Sequence, residues 1–146
     1  MATNRRYFPV APEAVWSVLA DPAGYAYWVV GSKRTRDADA AFPEPGTKFH
    51  HTIGFGPFTL DDHTEVLDAE PPRLLRLRAK GRPLGTATVT LRMKPVDGGT
   101  EVEISENPDG VYSFLAFNPA VHLFTKGRNA ESLMRLEELA LREAER

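Results

Sequence analysis

The sequence predicts an α+β domain: one strand and two short helices, then about six consecutive strands, then one long terminal helix. Three observations carry this. Apolar residues recur at helical spacing near the start and again after Pro119. Between Thr47 and Ile104 they alternate with period two. Short turn signals separate the alternating runs. Strands grouped together, with helices before and after, give an α+β order and not an alternating βαβ order.

The elements follow in turn. Arg5 to Val10 reads as a first strand. Pro12 stands where proline is tolerated, in a first helical turn, with Glu13 beside the positive end of the helix dipole. Val15, Val18 and Leu19, joined by Trp16, form the apolar stripe of that helix, and Asp21-Pro22 stops it. Pro22 to Trp28 reads as a second short helical segment bearing Tyr25, Tyr27 and Trp28. From Gly31 the period becomes two, and Arg34 and Arg36 suit a charged edge strand. In Thr47 to Phe55, residues Phe49, His51, Ile53 and Phe55 share one face. Gly54 to Pro57 turns the chain into Phe58 to Asp68. Leu75, Leu77 and Ala79 alternate with Arg76, Arg78 and Lys80, and Ala87, Val89, Leu91 and Met93 alternate with threonines and Arg92. Asp97-Gly98-Gly99 is a hairpin signal leading to Val102 and Ile104. After Asn107-Pro108-Asp109-Gly110 the pattern turns helical, and Pro119 to about Glu145 predicts one helix with a wide arc of Ala130, Leu133, Met134, Leu136, Ala140 and Leu141. Short connections between alternating strands imply an antiparallel meander with one buried face.

Composition closes several classes. The 146 residues fit one domain, spanning 1–146, and 42% hydrophobic with 26% charged residues is ordinary globular usage. A formal charge of −2 provides no global positive field for nucleic acid or anionic lipid. No cysteine is present, which excludes disulfides, thiolate catalysis and cysteine-ligated zinc. No apolar run approaches the ~20 residues that span a bilayer. The basic opening has no apolar stretch behind it, so a cytoplasmic protein without membrane insertion is expected, as a monomer or homodimer.

A bent sheet with one apolar face should bury the broad face of the terminal helix without closing tightly everywhere, leaving a space. Its polar lining is expected from His51, Asp62, Thr64, Glu106 and Asn129. Parity across the Gly54–Pro57 turn puts His51 opposite either Leu60 or Asp62, with the other diagonal. The same parity turns Glu106 inward behind Val102 and Ile104. The apolar lining is expected from Phe49, Ile53, Phe55, Leu60, Leu77, Val89, Leu91, Ile104, Leu133 and Leu136. Trp28 leans to the core and Tyr25 to the mouth. As a functional pair, His51 and Asp62 would move protons on an enolisable ligand, with Glu106 as a further acid or base. As a structural pair they would fix register, and Glu106 would be a rim carboxylate. His50, His51, Asp61, Asp62 and His63 crowd together, but adjacent strand residues face opposite ways, so no metal site is expected. No serine has a nucleophile-elbow setting, and Gly54-Phe55-Gly56 opens no helix, so no dinucleotide cofactor is expected.

The order of elements also resembles the helix-grip fold of the START/Bet v 1/polyketide-cyclase superfamily. The resemblance covers nearly the whole chain. It rests on Val10-Ala11-Pro12-Glu13-Ala14-Val15-Trp16, Leu19-Ala20-Asp21-Pro22, Trp28 and Phe42-Pro43-Glu44-Pro45-Gly46-Thr47. It rests further on Glu65 to Leu75 and on Arg128-Asn129-Ala130-Glu131-Ser132-Leu133. It implies a hydrophobic small-molecule ligand, polyketide-, lipid- or aromatic-like, held between sheet and helix. A cyclase/dehydratase enzyme using His51 with Asp62 or Glu106 is the alternative, and an Hsp90-activator-like interaction module a further one. Fold alone assigns no reaction. Phe55-Gly56-Pro57 and Arg82-Pro83-Leu84-Gly85 resemble the two mouth loops of plant hormone receptors in this superfamily, and Tyr112, Phe114, Leu115 and Phe117 would cap the other side or, alternatively, staple the start of the terminal helix.

Overall fold

Among the described residues seven strands pair in one antiparallel sheet, in the order first, seventh, sixth, fifth, fourth, third, second along the chain. The computed structural model describes residues 2–30, 32–55, 57–80, 86–109 and 118–146, with the backbone alone for 33, 34, 36, 53–55, 58–60 and 109. The strands are β1 (Ala2–Phe8), β2 (Ser32–Ala38), β3 (Lys48–Phe55), β4 (Phe58–Glu70), β5 (Leu74–Lys80), β6 (Thr86–Val96) and β7 (Gly99–Asp109). The helices are α1 (Pro12–Leu19), α2 (Tyr25–Trp28), preceded by a 3-10 turn at Pro22–Gly24, and α3 (Pro119–Ala144). This is the expected α+β helix-grip architecture.

Local chemistry accounts for the boundaries. Pro12 opens α1 with Glu13 in its first turn, and Asn118 caps α3 by accepting from the Ala120 and Val121 amides. Gly98 takes a positive φ of 78° in the turn between β6 and β7. At Gly99 a Cβ would lie 2.2 Å from the Phe8 carbonyl oxygen, so only glycine lets β1 approach the hairpin. A bulge between Val66 and Asp68 resets the alternation in β4, pairing Ala69 with Leu75 and Asp68 with Arg76. Asp68 and Arg76 then form an ion pair at 2.9 Å on the outer face.

Three expectations are corrected. The first strand is Ala2–Phe8 and not Arg5–Val10, because its ladder runs along β7 from Glu106 to Thr100. β7 runs through Asn107 and Pro108 to Asp109, so most of the run read as the border of the helical pattern lies within the last strand. Pro108 faces Ala87 of β6, while the β1 ladder has ended opposite Glu106, so the missing N–H falls on a side without a partner strand. The buried stripe of α3 is Asn129, Ser132, Leu133, Leu136 and Ala140, whereas Ala130, Met134 and Leu141 are exposed. Two polar residues occupy a stripe that hydrophobicity alone assigns to apolar ones.

The path of α3 is fixed by contacts to the β1/β7 side. The Asn4 side chain donates to the Lys126 carbonyl at 3.1 Å, Glu106 pairs with Arg128, and Arg6 pairs with Glu137 at 3.0 Å. The helix therefore travels from the end of the sheet near Glu106 and Pro108 toward the end near Val102. Its later turns pack against α1 in a core of Val15, Val18, Leu19, Leu75, Leu91, Met93, Val102, Ile104, Leu133, Leu136 and Ala140.

Candidate functional site at the polar part of the inner sheet face

The β3–β4 register puts His51 directly opposite Asp62 and Phe49 opposite Thr64. Of the two partners parity allows for His51, Asp62 is the one found. All four residues are buried, and they alternate with Lys48, His50, Asp61 and His63 on the other face. His51 Nε2 and the Thr64 hydroxyl, diagonal neighbours, are hydrogen-bonded at 2.9 Å. Asp62 Oδ1 accepts from the His63 amide at 3.1 Å. The arrangement is a histidine, a carboxylate and a hydroxyl on one inner patch, capable of donating, accepting and relaying a proton.

Glu106 lies opposite Val89 in the β6–β7 ladder and carries a close ion pair with Arg128 of α3. Its side chain is only 13% exposed. It is thus tied to the helix, where a rim carboxylate would stand in water. Arg128 is the partner the sequence did not single out. It adjoins Asn129 in the chain, but only the orientation of α3 shows that it reaches back to β7.

Burial changes along this face. On β6, Met93 and Leu91 are fully buried, while Val89 and Ala87 are half-buried, as is Ala79 on β5. The Ala79–Ala87 pair thus puts two small side chains in one row between Thr64 and Pro108, beside the Val89–Glu106 pair. Leu77, Ile104, Leu133 and Leu136 are buried.

Tyr25 corrects the expectation of a mouth residue. It is buried with Trp28, Phe42 and Phe49 in an aromatic cluster, its ring 4.7 Å from Phe49 and 4.8 Å from Trp28. Its hydroxyl donates to the Leu19 carbonyl at 2.8 Å, so the polar tip is satisfied without solvent. Burial, reinforced by the charge of Asp21, drives its pKa strongly upward. Trp28 takes the core position expected of it.

Other expected lining residues fall partly or wholly outside the described residues. The side chains of Ile53, Phe55 and Leu60 do, as do Gly56, Arg82 to Gly85, and Tyr112, Phe114, Leu115 and Phe117. So do the side chains of Arg34 and Arg36, although β2 is an edge strand as expected. Among the described residues there is no group of three or more histidine or acidic side chains placed to hold a metal ion. No helix among them is long and apolar enough to cross a membrane.

The outer face carries its own polar row. Thr52 donates to Asp61 at 2.9 Å, and the rings of His50 and His63, paired across the ladder, lie 6.0 Å apart. Partial burial lowers the pKa of His63, with Lys80 and Lys48 adding to the shift and Asp62 opposing it.

These features define a helix-grip protein with a polar-lined inner face. Residues 2–140 match the model of the polyketide cyclase/dehydrase and lipid transport family, and the chain belongs to that family and to the START/Bet v 1-like superfamily that contains it. The family spans enzymes and lipid carriers, and its fold is one that holds hydrophobic ligands. No curated protein matches the sequence. Solved structures share the fold. Protein NE0264 from Nitrosomonas europaea is 17% identical with a TM-score of 0.73, over 97% of this chain and 94% of its own. A Rhodobacter sphaeroides protein is 24% identical with a TM-score of 0.72, over 94% and 89%. Ara h 8.0201 is 13% identical with a TM-score of 0.73, over 95% of both chains.

Proposed function

We propose that the protein binds a hydrophobic small molecule, polyketide-, lipid- or aromatic-like, against the inner sheet face beneath the first turns of α3. The observation that carries this reading is the change of burial along β6, from Met93 and Leu91 to Val89 and Ala87. Apolar inner positions that the protein leaves half-covered, bordered by a few polar groups, match the usual make-up of small-molecule sites. The test is titration with an apolar fluorophore such as 1-anilinonaphthalene-8-sulfonate. Wild-type protein should bind it with increased emission, and Leu133→Trp, which adds volume on the buried stripe of α3, should weaken binding about ten-fold. An unchanged affinity in that variant would overturn the reading.

A second reading is favoured by one specific observation, the buried His51–Asp62 pair with Thr64 bonded to the imidazole. In this reading the ligand is an enolisable carbonyl compound. The pair removes a proton from the carbon next to the carbonyl and returns one to the enolate, as cyclisation or dehydration requires. Exchange of the α-hydrogens of 2-tetralone in deuterated water, followed by NMR, provides the test. The protein should accelerate exchange, and His51→Gln should abolish the acceleration without loss of binding. Equal exchange with and without protein would leave binding alone.

A further inference from the structure

We propose that Trp28, Ser32 and Asn129 form a donor subsite that selects ligands carrying an oxygen acceptor, such as a ketone, over bare hydrocarbons. The proposal rests on the ligand-binding reading above and assigns that site its specificity.

The three side chains each bury a polar atom that has no hydrogen-bond partner among the described residues: Trp28 Nε1, Ser32 Oγ and Asn129 Nδ2. Trp28 and Asn129 are each 2% exposed. Buried polar groups are nearly always satisfied, and an unmatched donor keeps the whole cost of its lost hydration. Three such atoms on segments pinned to one another call for a common explanation.

One hydrogen bond joins the segments that carry them. The Val30 amide donates to Ser132 Oγ at 3.1 Å, pinning the segment between α2 and β2 to α3. Trp28 and Ser32 stand two residues either side of Val30, and Asn129 stands one helical turn before Ser132 on the same buried stripe. Ser32 pairs with Ile53 at the β2–β3 ladder, two residues along β3 from His51.

Several neighbouring polar groups are satisfied, so burial here does not by itself leave a polar atom unmatched. Tyr25 donates to Leu19, Thr35 to the Pro22 carbonyl at 2.7 Å, and Ser132 accepts from Val30. An indole N–H and an amide NH2 can only donate, and a serine hydroxyl can also donate. The complement of such a set is an acceptor, and a carbonyl oxygen has two lone pairs to offer. The indole is held against Tyr25, itself fixed by its bond to Leu19, so the donor needs little ordering on binding. A hydrocarbon would leave all three donors unmatched, which is how a polar site rejects an analogue lacking the group it reads.

Fluorene and 9-fluorenone share one ring frame and differ by a single carbonyl. Their affinities, read by displacement of 1-anilinonaphthalene-8-sulfonate, test the proposal. Wild-type protein should prefer 9-fluorenone about ten-fold, a single well-placed hydrogen bond being worth roughly that. Asn129→Leu, close in volume, should lower the preference to near unity through loss of 9-fluorenone affinity, with fluorene bound as before. Its Tm should not fall, because an unmatched donor is replaced by apolar surface. Trp28→Phe, which keeps the six-membered ring and removes the N–H, should reduce the preference independently if Asn129→Leu proves unstable. Equal wild-type affinity for the two ligands overturns the subsite while the apolar site stands. An undiminished preference in both variants also overturns it. Failure of both compounds to displace the fluorophore overturns the binding reading and the subsite with it.

Discussion

Two stretches of β6, separated by one residue, show how the same alternation serves two ends. Leu91 and Met93 meet Leu75, Val102 and Ile104 across the sheet and are covered by α1 and α3. Val89 and Ala87 point the same way, yet their neighbours are Leu77, Ala79, Glu106 and Pro108, and they remain half-buried. Alternation fixes which face a residue takes. Side-chain volume and the reach of the covering helices decide whether that face is filled. The filled end stabilises the domain, and the other end, where small residues and a charged partner leave inner positions half-covered, is where the proposed guest would bind.

The comparison breaks if the two ends respond alike to truncation. Leu91→Ala should cost about 2–5 kcal/mol in urea unfolding, the range for a fully buried leucine. Val89→Ala should cost no more than about 1 kcal/mol, since little packing is lost at a half-buried site, and should reveal itself in weaker binding of an apolar fluorophore. Equal destabilisation would mean that the far end is packed core and would remove the site.

The Glu106–Arg128 pair belongs to the half-covered end, opposite Val89, and the next effect in size belongs there. Arg128→Met should destabilise by about 1–3 kcal/mol, because Glu106 would lose its charge-assisted hydrogen bond while remaining mostly covered. Glu106→Gln with Arg128→Met together should recover part of that loss, which a double-mutant cycle measures. No recovery would mean that the two act separately.

How much of this the sequence discloses depends on the distance over which each feature is decided. Period-two runs and turn residues act within a few positions, so the strands from β3 to β7 and the inward set of Phe49, His51, Leu75 and Leu91 are legible directly. Parity narrows the His51 partner to two residues but cannot choose, because loop length shifts register in steps of two. The bulge at Val66–Asp68 exchanges the faces of Asp68 and Ala69 for tertiary reasons. The polar stripe on α3 defeats hydrophobicity because Ser132 has a backbone partner brought by a segment a hundred residues earlier. Tyr25 misleads for a similar reason. A hydroxyl suggests solvent, but here the end of α1 supplies its acceptor.

That satisfied hydroxyl sharpens the contrast with the polar end through pH. Burial raises the Tyr25 pKa, so the folded state resists an ionisation that the unfolded chain undergoes near the ordinary tyrosine value of about 10. The associated stability is fully present below that value and is lost as pH rises through it. Tyr25→Phe should therefore flatten the alkaline limb of the stability curve, and absorbance at 295 nm should show that one tyrosine of four ionises only with unfolding. Tyrosinate formation by all four in the folded protein would contradict the core placement.

The smallest effect belongs to the outer face, where His63 is largely solvated. Its folded pKa is lowered by partial burial first, then by Lys80 and Lys48, with Asp62 acting the other way and His50 adding slightly to the decrease. The unfolded chain then binds a proton more readily than the folded one in the window from the ordinary histidine value of about 6.5 down to the lowered value. The resulting stability is present above that window and declines as pH falls through it. Proton NMR titration of the four histidines should place the His63 midpoint below 6.5. Lys80→Met should raise it, with the difference shrinking as salt screens the lysine charge. His63→Gln should slightly flatten the acid limb of the stability curve and leave ligand binding unchanged, since His63 shares a strand with Asp62 and Thr64 but not their face. A loss of binding in that variant would show that the two faces of β4 are coupled, and the division of labour would then have to include the outer row.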